Sequence, residues 1–163
     1  MAKRTRGDGG TPATVALTAA GIAFTARPYA HDPAAASYGL EAADALGVDP
    51  ARVFKTLLVD AEKGLAVGIV PVDRQLDLKA LATALGVKRV QMADPDDAER
   101  ATGYVVGGIS PIGQKRSLPT VVDSSASEQD TVYVSGGRRG LDIGLTPADL
   151  IKITTASTAS IAR

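Results

Sequence analysis

Cysteine is absent from the 163 residues, which excludes disulfides, thiolate metal sites and a cysteine nucleophile. Histidine occurs once, as His31, so no histidine-rich metal centre can be built, and a Ser-His-Asp triad would have to use this one ring. Charge of one sign is also missing: Lys plus Arg equal Asp plus Glu at 18 each, leaving no global field to attract nucleic acid, so any RNA contact must be local. No apolar run approaches the roughly 20 residues of a membrane span. Residues 1–10 are basic and glycine-rich but lead into no apolar segment, which argues against a secretory signal and for cytoplasmic residence. Neither a GxGxxG nor a Walker pattern is present, and the carboxylates form no acid/base pair or metal cluster; no cofactor and no metal are expected.

What is present reads as one domain. A length of 163 residues and an apolar fraction of 45% suit a single core. Thr11-Pro12 before Ala13 to Ala20 and Gly21 predicts a short helix with an N-cap threonine, a first-turn proline and a glycine stop. The domain is therefore expected over 11–163, behind a disordered basic leader, 1–10. The same capping grammar recurs at Asp49-Pro50, Asp94-Pro95 and Thr146-Pro147, and Gly47 and Gly86 mark the ends of helices over Leu40 to Leu46 and Leu78 to Leu85. Strands are predicted over Phe54 to Asp60, Leu65 to Val72, Lys88 to Met92, Pro119 to Asp123, Thr131 to Ser135 and Leu141 to Leu145. Hairpin loops at 60–64 and 135–140 make much of the pairing antiparallel, giving an α+β fold with a mixed, mostly antiparallel sheet flanked by helices.

Three segments could carry chemistry. In Val53-Phe54-Lys55-Thr56-Leu57-Leu58-Val59, alternation puts Lys55 on a face with Val53, Leu57 and Val59. A lysine there either lines a cavity or snorkels to water from an edge strand. Gly107-Gly108-Ile109-Ser110-Pro111-Ile112-Gly113 brings bare backbone near a ligand, where successive N–H groups could cradle a carbonyl oxygen or phosphate, or else it is a plain turn. Ser135-Gly136-Gly137-Arg138-Arg139-Gly140-Leu141-Asp142 carries two guanidinium groups that could reach phosphates, or forms a solvated hairpin; Asp142 is a polar anchor or a turn residue. His31 reads as structural or substrate-flanking before it reads as a general base.

Together these pieces resemble the YbaK/EbsC family of aminoacyl-tRNA deacylases, related to the editing domain inserted in bacterial prolyl-tRNA synthetases. The resemblance rests on seven ordered blocks: Tyr29-Ala30-His31-Asp32-Pro33, Val53 to Val59, Gln75 to Lys79, Met92-Ala93-Asp94-Pro95, Thr102-Gly103-Tyr104, Gly107 to Lys115, and Tyr133 to Gly137. It runs from about Thr11 to Arg163, looks closest to the Cys-tRNA(Pro) deacylase branch, and departs only at the basic leader. It implies a pocket built on Lys55 and the Gly107 to Ser110 loop, with Gly107, Gly108 and Ile109 as backbone donors. Tyr29, His31, Thr56, Ser135 and Asp142 would surround the aminoacylated 3' end.

That likeness further implies removal of mischarged cysteine from tRNA(Pro), with the substrate's own thiol attacking the ester; an activated water is the other route. Prolyl-tRNA synthetase is the expected protein partner, and no membrane is involved. Two other readings stand beside it: a deacylase of the same fold acting on another aminoacyl-tRNA, and a non-catalytic module that holds a tRNA acceptor end or a nucleotide.

Overall fold

The computed structural model describes residues 10–163; the expected leader therefore lies, apart from Gly10, outside the described residues. Among the described residues there are five α-helices: α1 (Pro12–Ala19), α2 (Tyr38–Leu46), α3 (Leu78–Leu85), α4 (Pro95–Thr102) and α5 (Pro147–Thr154). Each opens on a side chain that accepts one of the otherwise unpaired N–H groups of the first turn: Thr11, Ser37, Asp77, Asp94 and Thr146. Gly47 and Gly86 close α2 and α3 in the left-handed conformation, as their positions predict. The Asp49-Pro50 signal produces only a 3-10 turn, Pro50–Arg52, because the next residue, Val53, is drawn into a bridge with Tyr133 and its carbonyl accepts from Val72 N–H at 2.8 Å.

Eight strands among the described residues form two sheets. Strands β2 (Phe54–Asp60), β3 (Leu65–Pro71), β4 (Gln91–Met92), β5 (Thr120–Asp123) and β8 (Ser157–Ala159) make a five-stranded sheet in the order β4-β2-β3-β5-β8. The pairs β4-β2 and β2-β3 are antiparallel, β3-β5 and β5-β8 parallel. Strands β1 (Thr25–Pro28), β7 (Leu141–Leu145) and β6 (Val132–Arg138) make an antiparallel three-stranded sheet in that order. Both predicted hairpins form, the second with an irregularity between Ser135 and Arg138. The strand expected over Lys88 to Met92 shrinks to two exposed residues that touch β2 only at its far end. Neither β1 nor β8 carries a strong signal of its own; β8 is followed by Ile161 and Ala162, whose N–H groups are tied to the buried Asp123 carboxylate at 2.9 and 3.0 Å.

One face of β2 and β3 sends Phe54, Leu58 and Ile69 against Val134 and Ile143 of the second sheet, with Leu17 of α1 and Leu150 of α5 beneath. The opposite face sends Val59 and Val70 against Leu81 of α3 and Ile161. Burial of each such side chain contributes about 1.5 to 3 kcal/mol. The consequence for function lies at the edge of β2. Tyr133 of β6 reaches it at Val53, and Met92 of β4 reaches it at Val59. Between those points β2 has no strand partner on that side among the described residues, and the two sheets part.

Candidate active site

The gap left by the diverging sheets is a cavity of about 420 Å³, and six consecutive residues of the β2 segment, Val53 to Leu58, line it. Lys55 is among them, half-buried, and its ammonium makes no hydrogen bond or ion pair to another described residue. Burial holds its ammonium below the usual lysine value, and the Asp73 carboxylate partly offsets that loss. Thr56, next along the strand, has a buried hydroxyl with no partner among the described residues. Its main chain is also open: Leu58 C=O accepts from Ala93 N–H at 3.0 Å, and strand alternation turns the N–H and C=O of Thr56 to that same unpaired side.

Among the described residues, the three-stranded sheet brings the one acid of the lining. Asp142 on β7 lies opposite Ser135 on β6, and both line the space. Asp142 is 5% exposed and meets no cation within ion-pairing distance, so burial pushes its carboxyl up to about 7. Tyr29 completes this wall; burial first, then the Asp142 and Glu41 carboxylates, pushes its phenol up to about 12.

The glycine loop supplies donors unequally. Gly107 and Ile109 line the cavity, and neither N–H meets a protein acceptor among the described residues. Gly108 does not line it: its N–H donates to Val105 C=O at 2.9 Å, and a Cβ there would stand 2.7 Å from Arg138 Cα. Ser110 is fully buried beneath the loop, its hydroxyl accepting from Ile112 N–H at 3.2 Å and its carbonyl from Gln114 Nε2 at 3.0 Å. His31 sits outside the lining, with Nδ1 2.8 Å from Glu41 Oε1 and its ring 5.8 Å from that of Tyr38. The structure thus brings together Lys55, Thr56, Tyr29, Ser135, Asp142, Gly107 and Ile109, and leaves Gly108, Ser110 and His31 behind or beside the wall.

A wall that sequence reasoning missed is the first turn of α2, where Ser37, Tyr38 and Gly39 face the cavity. Gly39 allows the approach, since a Cβ would lie 2.4 Å from Val72 Cγ1. The signal was the N-cap serine before an isolated aromatic, which places α2 two residues earlier than its apolar pattern does.

The arrangement has counterparts among known proteins. A family model described as the aminoacyl-tRNA editing domain matches residues 32–153. EbsC of Enterococcus faecalis, provisionally named a Cys-tRNA(Pro)/Cys-tRNA(Cys) deacylase, is 41% identical over 120 residues, 73% of each chain. The chain belongs to the aminoacyl-tRNA editing domain family. The proline–tRNA ligase of Moorella thermoacetica is 37% identical over 78 residues, which span 48% of this chain and 13% of the ligase. A crystal structure described as a provisional trans-editing enzyme for prolyl-tRNA synthetase superposes with a TM-score of 0.80 at 26% identity, covering 93% of this chain and 95% of that one.

Viewed as an editing domain, the cavity combines, among the described residues, one cation, one buried acid, an unpaired strand edge and two lining residues whose N–H groups have no acceptor. Such a set can hold a small acyl group that carries an α-ammonium and receive negative charge developing on a carbonyl oxygen. Among the described residues no group of three or more His, Cys, Asp or Glu is placed to hold a metal ion, and no helix is long and apolar enough to cross a membrane.

Proposed function

We propose that this editing domain acts in trans to hydrolyse the ester of mischarged aminoacyl-tRNA, cysteine on tRNA(Pro) foremost. The single observation that carries the reading is the cavity itself: Lys55 and Asp142, both without a salt bridge to a described residue, face a space of about 420 Å³. That volume suits a small ligand, so only the aminoacylated terminus of a tRNA would enter. The identity to EbsC and to a segment of proline–tRNA ligase supports cysteine and tRNA(Pro) as the substrate, and the synthetase as a partner that delivers it.

In this reading the Asp142 carboxylate receives the substrate's α-ammonium, which would restore its ionised form on binding. Thr56 and Ser135 offer hydrogen bonds to the ribose or the amino acid. Lys55 stabilises charge on the leaving ribose oxygen, and the N–H groups of Gly107 and Ile109 receive the carbonyl oxygen as it becomes an oxyanion. The chain needs no nucleophile of its own. The substrate thiol gives up its proton and its sulfur attacks the ester carbonyl carbon; the carbon–oxygen bond to ribose then breaks, the ribose oxygen takes a proton, and the released cysteine thiolactone is opened by water. Holding sulfur and carbonyl in attack geometry is the main contribution of the site. A second site is needed because a proline pocket excludes a similarly small amino acid by only about 1 to 3 kcal/mol per methylene.

A release panel tests this. Cys-tRNA(Pro) should lose its amino acid at least tenfold faster than Ala-tRNA(Pro) or Pro-tRNA(Pro), and S-methylation of the cysteine should remove that advantage. Equal rates for the methylated substrate would replace the thiol by water, and preferential release of alanine would replace the substrate.

A further inference from the structure

Arg139, which the sequence offers as a phosphate contact or as part of a solvated hairpin, is exposed, yet two of its N–H donors are turned onto the glycine loop. Nε and Nη2 both donate to the Val106 carbonyl oxygen, at 2.9 and 2.7 Å. The guanidinium carbon lies 5.2 Å over the centre of the Tyr38 ring. Two donors converging on one oxygen, with the donor plane set against an aromatic ring, leave the Val106–Gly107 peptide little freedom to rotate.

A trans peptide is planar, so its C=O and N–H point in opposite directions. The exposed Arg139 holds the Val106 carbonyl, and both Val106 and Gly107 line the cavity. The Gly107 N–H therefore points away from Arg139 and meets no acceptor among the described residues, and a cation on the carbonyl of the same peptide polarises that N–H into a stronger donor. Gly107 is a glycine for the same reason. Its φ is +90°, and a Cβ would stand 2.7 Å from Tyr38 Cε1 and 2.8 Å from Arg139 Nε, in the space the clamp occupies.

We propose that Arg139, bedded on Tyr38, is a positioning residue of the editing site that aims and polarises the Gly107 N–H toward the substrate's carbonyl oxygen. The inference rests on the reading of Gly107 as an oxyanion donor. Because the clamp acts on a group used in the transition state, its loss belongs in kcat and not in substrate binding.

The test is steady-state release of cysteine from Cys-tRNA(Pro) by the wild-type chain, Arg139→Ala, Arg139→Lys and Tyr38→Leu. Arg139→Ala should lower kcat by about tenfold to a hundredfold, part of what the removal of a whole oxyanion donor costs, with KM within about twofold. Arg139→Lys keeps the charge but not the fork, so its kcat should stay near that of the alanine variant, and Tyr38→Leu should shift kcat the same way by less. Added guanidinium ion should recover part of the kcat of Arg139→Ala. If Arg139 serves instead as a phosphate contact, Arg139→Ala raises KM in a salt-dependent manner at unchanged kcat and Arg139→Lys behaves as wild type; either result overturns the proposal while leaving deacylation standing. A wild-type chain that releases no amino acid removes the functional reading, and the clamp's role with it.

Discussion

A carboxylate buried without a cation costs the fold stability, and Asp142 is such a group. Its folded value is about 7 against an unfolded value near 4. The native state thus binds more protons than the unfolded chain between those values, so stability falls as pH rises through about 4 to 7 and the full penalty stands above it. Three units correspond to a cost of about 4 kcal/mol. Asp142→Asn, nearly the same shape without the charge, should therefore melt higher than wild type at pH 8, by up to roughly 10 °C for a chain of this size, and show little difference at pH 4. Thermal denaturation at the two pH values checks this, and a difference independent of pH would mean that Asp142 is not the unpaired acid. The same variant should lose deacylation, because it cannot pair with an α-ammonium. Stability given up at one residue for a charge aimed into a cavity is what a binding site requires.

The α2 N-terminus, which builds one wall of the cavity, depends on its cap. Ser37 Oγ accepts from Leu40 N–H at 3.2 Å, and no other residue offers that bond. Ser37→Ala should destabilise the chain by about 1 kcal/mol, a fall of about 2 to 4 °C in Tm; a melting temperature unchanged within 1 °C would show that water caps the helix equally well. This cap was missed in the sequence, where the apolar pattern starts the helix at Leu40, but the caps of α1, α4 and α5, the glycine stops and the two hairpins were legible, since they are local chemistry. The β2 run was legible for the same reason: period-2 alternation showed a lysine among apolar neighbours. What could not be read was the open edge beside that lysine, which depends on where β6 and β4 attach, 80 and 33 positions away in the chain at Val53–Tyr133 and Val59–Met92. The parallel pairs β3-β5 and β5-β8 escaped for the same reason, since nothing local distinguishes them from antiparallel neighbours. The glycine loop fell between the two cases. Its closeness to a cavity was foreseen, whereas the burial of Ser110, the use of Gly108 N–H by Val105 and the Arg139 fork on Val106 are set by how the loop lies on the 138–140 hairpin.

At the scale of the whole molecule, function follows from two sheets that meet at one bridge and then part. The five-stranded sheet brings Lys55 and Thr56, the three-stranded sheet brings Ser135 and Asp142, and Gly107 and Ile109 close the space between them. A chain with no net charge has no long-range pull on a polyanion, so recognition must come from this small space and from local cations such as Arg27 and Arg52, which flank Tyr133 at 5.8 and 5.6 Å. Affinity for tRNA is accordingly expected to be modest, with selectivity exercised on the amino acid. Lys55 provides the most direct trial of this account. Among the described residues it is the one lysine lining the cavity, its side chain makes no hydrogen bond or ion pair there, and its removal relieves a desolvated charge, so Lys55→Ala should fold as well as wild type. The deciding measurement is single-turnover release of cysteine from Cys-tRNA(Pro) by the intact chain and by Lys55→Ala. Rapid release by the first and a loss of at least a hundredfold in the second, with both proteins folded, is the predicted result; release that is absent from both, or equal in both, would contradict it.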